Sequence, residues 1–146
     1  MSVESNKAHV RRWFEEIING RTAPDVFMAA LDEMIAPDFV DWDGPDPMNG
    51  REAIRRSVPV LLKALPDAFL TVEQLIGEGD FVAVRVRGQA THTGEVMGIV
   101  PTGKRISWTE NEIFRLVNGQ IAESWGEGGL EEALAEIGFA FKGSQP

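Results

Sequence analysis

Apolar side chains recur at helical spacing through the first part of the chain and at every second position through most of the remainder. Residues 6–19 (NKAHVRRWFEEIIN) set Val10, Trp13, Phe14, Ile17 and Ile18 on one stripe, and Gly20 follows as a stop, which predicts an amphipathic helix. A second helix is predicted over 24–35, with Pro24 in its first turn and Val26, Phe27, Ala30, Leu31, Met34 and Ile35 on its apolar side. The stretch PDFVDWDGPDPMN (37–49) is rich in Pro, Gly and Asp and reads as a short extended piece followed by a loop. GREAIRRSVPVLLKAL then predicts a third helix over about 50–64, bent at Pro59.

After Pro66 the period changes from helical to alternating. LTVEQLI, the turn GEGD and FVAVRVRGQA read as a hairpin with Val82, Val84 and Val86 on one face. A Gly- and Pro-rich connection, THTGEVMGIVPTGKR, leads into ISWTENEIF (106–114), VNGQ marks a tight turn, and IAESWGEG is the return strand. LEEALAEIGFAF predicts a last helix with Leu130, Ala133, Leu134 and Ile137 inward and Gly138 as its stop. Helices first and an antiparallel sheet afterwards predict an α+β domain over 1–146.

The strand 106–114 contains a contradiction. Residues 106, 108, 110, 112 and 114 project to one side, so Ile106, Trp108 and Phe114 share a face with Glu110 and Glu112. Ionised carboxylates are strongly unfavourable in a dry core. Either the face is solvated, or the pair is neutralised by Arg115 or Arg85, or the two acids line a pocket. In a pocket, same-face neighbours about 7 Å apart would raise each other's pKa on top of desolvation. One could then act as base while the other remains a protonated acid.

Composition removes several classes. The net charge of −9 and pI near 4.7 argue against nucleic acid or an anionic membrane surface as partner. No run approaches the roughly 18 apolar residues of a spanning helix, and the start lacks an apolar signal core, so a cytoplasmic location is expected. Without cysteine there is no thiol catalysis and no Cys-based zinc site. Two distant histidines, no EF-hand spacing and no phosphate-binding glycine motif lead us to expect neither metal nor cofactor. The absence of tyrosine excludes a tyrosine oxyanion hole.

Four stretches carry a resemblance: APDFVDWD with GREAIR, GEGDFVAVRVRGQATHTGEVMGIVPTGKR, EIFRLVNGQIAESW, and the helix ending EIG. Together, from about residue 6 to 138, they resemble the SnoaL-like polyketide and ester cyclases of the nuclear-transport-factor-like superfamily. That resemblance implies a cone-shaped α+β barrel, a strongly bent mixed sheet wrapped around helices, with an apolar pocket open at one end and frequent homodimers. It implies a small apolar carbonyl ligand of polyketide type and cofactor-independent acid–base chemistry. Fold alone does not fix the reaction, because the same superfamily holds isomerases, dehydratases and epoxide hydrolases.

This chain departs from the pattern at telling positions. Where the cyclases read His-Trp-Asp it has Ser124, Trp125 and Gly126, so the aspartate that serves them as acid and base is absent. A second frequent aspartate is Gly129, and a usual histidine is Trp42. The resemblance thus suggests that the working carboxylates moved one strand over, to Glu110 and Glu112. His92, in the shared ATHTGE stretch, is a third catalytic candidate whose simpler role is to hold a strand end. Trp42, Trp108, Trp125, Ser124, Phe14 and Met97 are candidate ligand contacts. Asp41 and Asp43 read most simply as an acidic loop. The hairpin register stays open: a two-residue Asn118-Gly119 turn would pair Glu112 with Trp125, and a bulged three-residue loop, which the resemblance favours, would pair it with Ser124. A non-catalytic binding or dimerisation module, or an epoxide hydrolase using Arg85 beside a glutamate, are the alternatives.

Overall fold

In a computed structural model, residues 2–20, 23–96 and 98–139 are described. Ser2 caps the first helix, its hydroxyl accepting from the Ser5 amide, so α1 (Val3–Arg12) begins three residues earlier than the apolar stripe alone predicts. It runs directly into a π-helical segment, Trp13–Ile18, that turns Trp13, Phe14 and Ile17 inward. Helix α2 (Pro24–Met34) follows, and the chain passes straight into β1 (Ile35–Asp41), so Ile35 belongs to a strand rather than to the helix. Helix α3 (Gly50–Ala64) continues through Pro59. No helix among the described residues is long and apolar enough to cross a membrane.

The hairpin β2 (Phe69–Glu78) and β3 (Phe81–Thr91) forms as the alternation predicts, with Val82, Val84 and Val86 buried. Strand β4 (Arg105–Val117) and β5 (Gln120–Gly128) make the second hairpin, and α4 (Leu130–Ala135) closes the described chain. The sheet order is β1-β5-β4-β3-β2, antiparallel throughout except for the parallel β1–β5 pair. This is the mixed-sheet α+β arrangement expected.

The β4–β5 register differs from both sequence alternatives. The turn is the two-residue one, with Asn118 and Gly119 both at positive φ, as a type I′ turn requires. It aligns Val117 with Gln120 and Leu116 with Ile121, but a bulge at Ala122 then shifts the ladder by one, so Arg115 faces Glu123. From there Phe114 pairs with Ser124, Glu112 with Gly126 and Glu110 with Gly128. One extra residue inverts the faces of everything beyond it. Ser124, Gly126 and Gly128 therefore share the inner face with the glutamates, while Trp125 points outward.

The inner face packs on two apolar groups. One joins α1, the π-helical turn, α2 and β1 to Val82, Val84, Val86 and Phe114. The other joins Ala64, Leu65 and Ala68 to Ile106, Trp108, Leu134 and Ile137. Between them, along β4, lie Glu110 and Glu112.

Candidate functional site

Neighbouring glutamates can occupy the inner face because the facing strand lacks side chains there. A Cβ built on Gly126 would stand 2.9 Å from Glu112 Cγ, and one on Gly128 would stand 2.6 Å from Glu110 Cγ. Each glutamate stem lies over its partner glycine, so the space that side chains on β5 would take is filled from β4. Both carboxyls border a cavity of about 200 Å³ whose walls, apart from Asp41 and Ser124, are apolar: Trp13, Phe14, Phe39, Ile54, Leu62 and Trp108 supply much of the surface. Its size exceeds the ~150 Å³ cavities that hold a benzene ring, enough for a small ring system.

A third carboxyl joins them. Asp41, at the end of β1, lines the same cavity and accepts a hydrogen bond of 3.1 Å from the Ser124 hydroxyl. Asp43 accepts from the Gly126 amide at 2.9 Å and lies at the cavity opening. These contacts pin the segment after β1 across β5.

Electrostatically the cluster is unbalanced. Burial pushes the Glu112 carboxyl up to about 8, helped by the charges of Glu110 and Asp41. Burial and then Asp41 raise Glu110 to about 7, and burial also raises Asp41. Neither glutamate receives a hydrogen bond from a described residue. The arginines that might have balanced them are engaged elsewhere: Arg115 with Glu123, and Arg85 with Glu73 at 3.2 Å and Asn111 on the outer face. Arg85 thus cannot assist a glutamate in an epoxide-hydrolase relay. Between about pH 7 and 8 the pair can share one proton, held mainly by Glu112, so that one carboxyl donates and the other accepts about one strand repeat apart.

Of the residues singled out in the sequence, Glu110, Glu112, Trp108, Ser124 and Phe14 meet at this cavity. Three do not. Trp125 packs against Phe81 on the outer face, ring centroids 6.2 Å apart, for the register reason given above. Trp42 is 43% exposed and its indole donates to Glu123, because inward-facing Asp41 turns its neighbour out. His92 is buried within the second apolar group, where its Nδ1 accepts from the Thr102 amide at 3.2 Å and its ring meets Phe139 edge-on. It spans the 92–102 loop and does not border the cavity. Met97 lies outside the described residues. Sequence reasoning missed Trp13 and Asp41 as cavity residues; the alternation of Asp41 and Asp43 around Trp42 was a visible signal for the aspartate, but its inward aim depends on pairing with a strand 83 residues away.

Comparison with known proteins places the chain's family and fold. The model of the SnoaL-like polyketide cyclase family matches residues 8–135. Among solved structures the chain is similar to AclR from Streptomyces galilaeus, provisionally described as a hydroxylase (29% identity, 94% of this chain and 83% of that one, TM-score 0.76). It is also similar to IdmH from Streptomyces antibioticus, provisionally described as a polyketide cyclase (27% identity, 92% and 99% of the chains, TM-score 0.69). A SnoaL-like protein from Jannaschia sp. CCS1 shares the fold at 23% identity, over 98% and 94% of the chains, with a TM-score of 0.71. No curated protein sequence matches. With a family match across residues 8–135 and the fold shared with solved structures of that kind, the chain belongs to the SnoaL-like polyketide cyclases.

Proposed function

We propose that this protein is a cofactor-independent enzyme that enolises an apolar, polyketide-like carbonyl compound through Glu110 and Glu112, in a cyclase or isomerase type of reaction. The observation that carries the reading is a pair of carboxyls side by side on the wall of an apolar cavity, both raised by burial and neither with a hydrogen bond from a described residue. Ionised Glu110 takes a proton from the carbon beside the carbonyl while Glu112 gives one to the carbonyl oxygen. In a cyclisation the enol carbon bonds to a second carbonyl carbon, whose oxygen takes the proton from Glu110, and the first oxygen returns its proton to Glu112. Both groups end as they began. The cyclase-type role of the family supports this assignment.

The test needs no natural substrate. With 1-tetralone in deuterium oxide, the wild type should accelerate exchange of the protons beside the carbonyl, and Glu110→Gln and Glu112→Gln should each lower that rate by about a hundredfold or more. Equal rates in wild type and variants would remove both glutamates from the chemistry. Absence of catalysed exchange in the wild type would instead favour a non-catalytic binding module, the reading suggested by Gly126 in place of the cyclase aspartate.

The outer face supports homodimerisation as part of the same proposal. Ile76 (64% exposed), Phe81, Ile113 and Val117 form with Trp125 an apolar strip on the sheet side away from the cavity. A second copy would cover it. Sedimentation of Ile113→Lys should show a monomer where the wild type is a dimer; a wild-type monomer, or a variant that still dimerises, rejects this interface.

A further inference from the structure

The cavity and its opening carry six carboxylates, Asp41, Asp43, Glu110, Glu112, Glu127 and Glu131, with no lysine, arginine or histidine among the lining residues. Arg115 is committed to Glu123, Arg85 and Arg87 to Glu73, and Arg51 and Arg55 to Asp32. Among the described residues no cationic side chain therefore lines the site. Overall acidity does not by itself explain this, because cations and anions do pair elsewhere on the surface. At the centre stands Glu112, partly buried, facing the cavity and without a hydrogen bond from a described residue, in an environment where an unmatched polar group is expensive. Among the described residues no three His, Cys, Asp or Glu side chains are placed to hold a metal ion, and the remaining wall is apolar apart from Ser57 and Ser124.

Resting on the site assigned above, we infer that its ligand is an apolar ring compound that also carries a protonated amine, and that the ammonium group lodges among Glu110, Glu112 and Asp41. Three carboxyls suit such a ligand. One neutralises the ammonium and two remain for the paired proton transfers. Ser124, donating to Asp41, holds that carboxylate in place for the ammonium. A ligand bearing a free carboxylate is repelled by the same cluster, and the acidic opening draws in cations before contact.

Titration calorimetry with 1-aminotetralin, 1-tetralone and tetralin-1-carboxylate presents one ring system with a cationic, neutral or anionic group. At pH 7.5, in buffers of low and high ionisation enthalpy, the amine should bind about tenfold or more tighter than the ketone, a charge-assisted gain. It should also release protons, because a cation beside the carboxyls favours their ionised forms. The carboxylate should not bind, and Glu112→Gln should reduce the proton release and bring amine affinity down towards that of the ketone. A ketone bound as tightly as the amine, an amine bound without proton release, or no amine binding would overturn the inference. The proton-exchange assay separates the two readings. Glutamate-dependent exchange without amine preference sinks only the ligand assignment, whereas amine binding with exchange indifferent to both glutamates sinks only the catalytic one.

Discussion

Replacing Glu112 with Gln should raise the melting temperature at pH 8.5 and leave it nearly unchanged at pH 5. The sign follows from proton counting. An unfolded Glu ionises near 4.5, whereas burial beside Glu110 and Asp41 pushes the native group up to about 8. Between those values the native state holds a proton that the unfolded chain has released, so stability falls as pH rises through the interval. Above pH 8 the native protein must hold an ionised carboxyl in an apolar wall without a hydrogen bond. Glutamine resembles the protonated acid in shape and cannot ionise, so it removes that penalty at high pH and changes little at low pH. At about 1.4 kcal/mol per pH unit, the interval gives a gain of at most a few kcal/mol, on the order of 5–10 °C for a domain this size. Glu110→Gln should behave alike with a smaller gain, since its native value lies nearer 7. Thermal melts of the three proteins from pH 5 to 9 provide the check. A glutamine variant that melts below the wild type at pH 8.5 would mean that Glu112 has a stabilising partner, and the reading of an unbalanced site would fail.

How far this site was legible in the sequence can be traced residue by residue. Helix stripes and valine alternation specify the elements because burial of one face is enforced by the chain's own period. The interruption of an apolar face by Glu110 and Glu112 was visible for the same reason, since a strand fixes which side chains share a side. Beyond one strand this logic weakens. The bulge at Ala122 carries no compositional mark, yet it decides that Ser124 rather than Trp125 faces the cavity. Asp41 belongs to the cluster only because β1 lies parallel to β5, a long-range pairing that no local pattern encodes. Trp13 read as core, and it is core on most sides; that one side borders a cavity depends on how α3 packs across the sheet. The buried position of His92 follows from a loop closing onto its own strand through Thr102 and Lys104.

An aspartate introduced at Gly126 should be harmful by itself and tolerated once Glu112 is shortened. In Gly126→Asp the new Cβ would stand 2.9 Å from Glu112 Cγ, so the glutamate must leave its place, and a fourth carboxylate would enter a site that already lacks a cation. Steric displacement and an added buried charge both belong to the mechanisms of large destabilisation, so a loss above about 2–3 kcal/mol is expected, larger at high pH. Glu112→Ala clears the obstructing stem. The double variant Gly126→Asp/Glu112→Ala should therefore recover most of the loss, with a coupling energy of at least about 1 kcal/mol between the two positions. It should also recover part of the proton-exchange activity that Glu112→Ala loses, because a carboxyl again faces the cavity from the neighbouring strand. Gly128 provides the control. A Cβ there would meet the Thr109 carbonyl oxygen at 2.5 Å, and a backbone atom cannot be trimmed away, so Glu110→Ala should not rescue Gly128→Ala. Denaturant melts of the single and double variants decide the matter. If Gly126→Asp is tolerated alone, or if its effect simply adds to that of Glu112→Ala, the glutamate does not occupy the aspartate's space. The transfer of the carboxylate from β5 to β4 would then have no structural basis, for the register alone places Glu112 beside Gly126 without making one exclude the other.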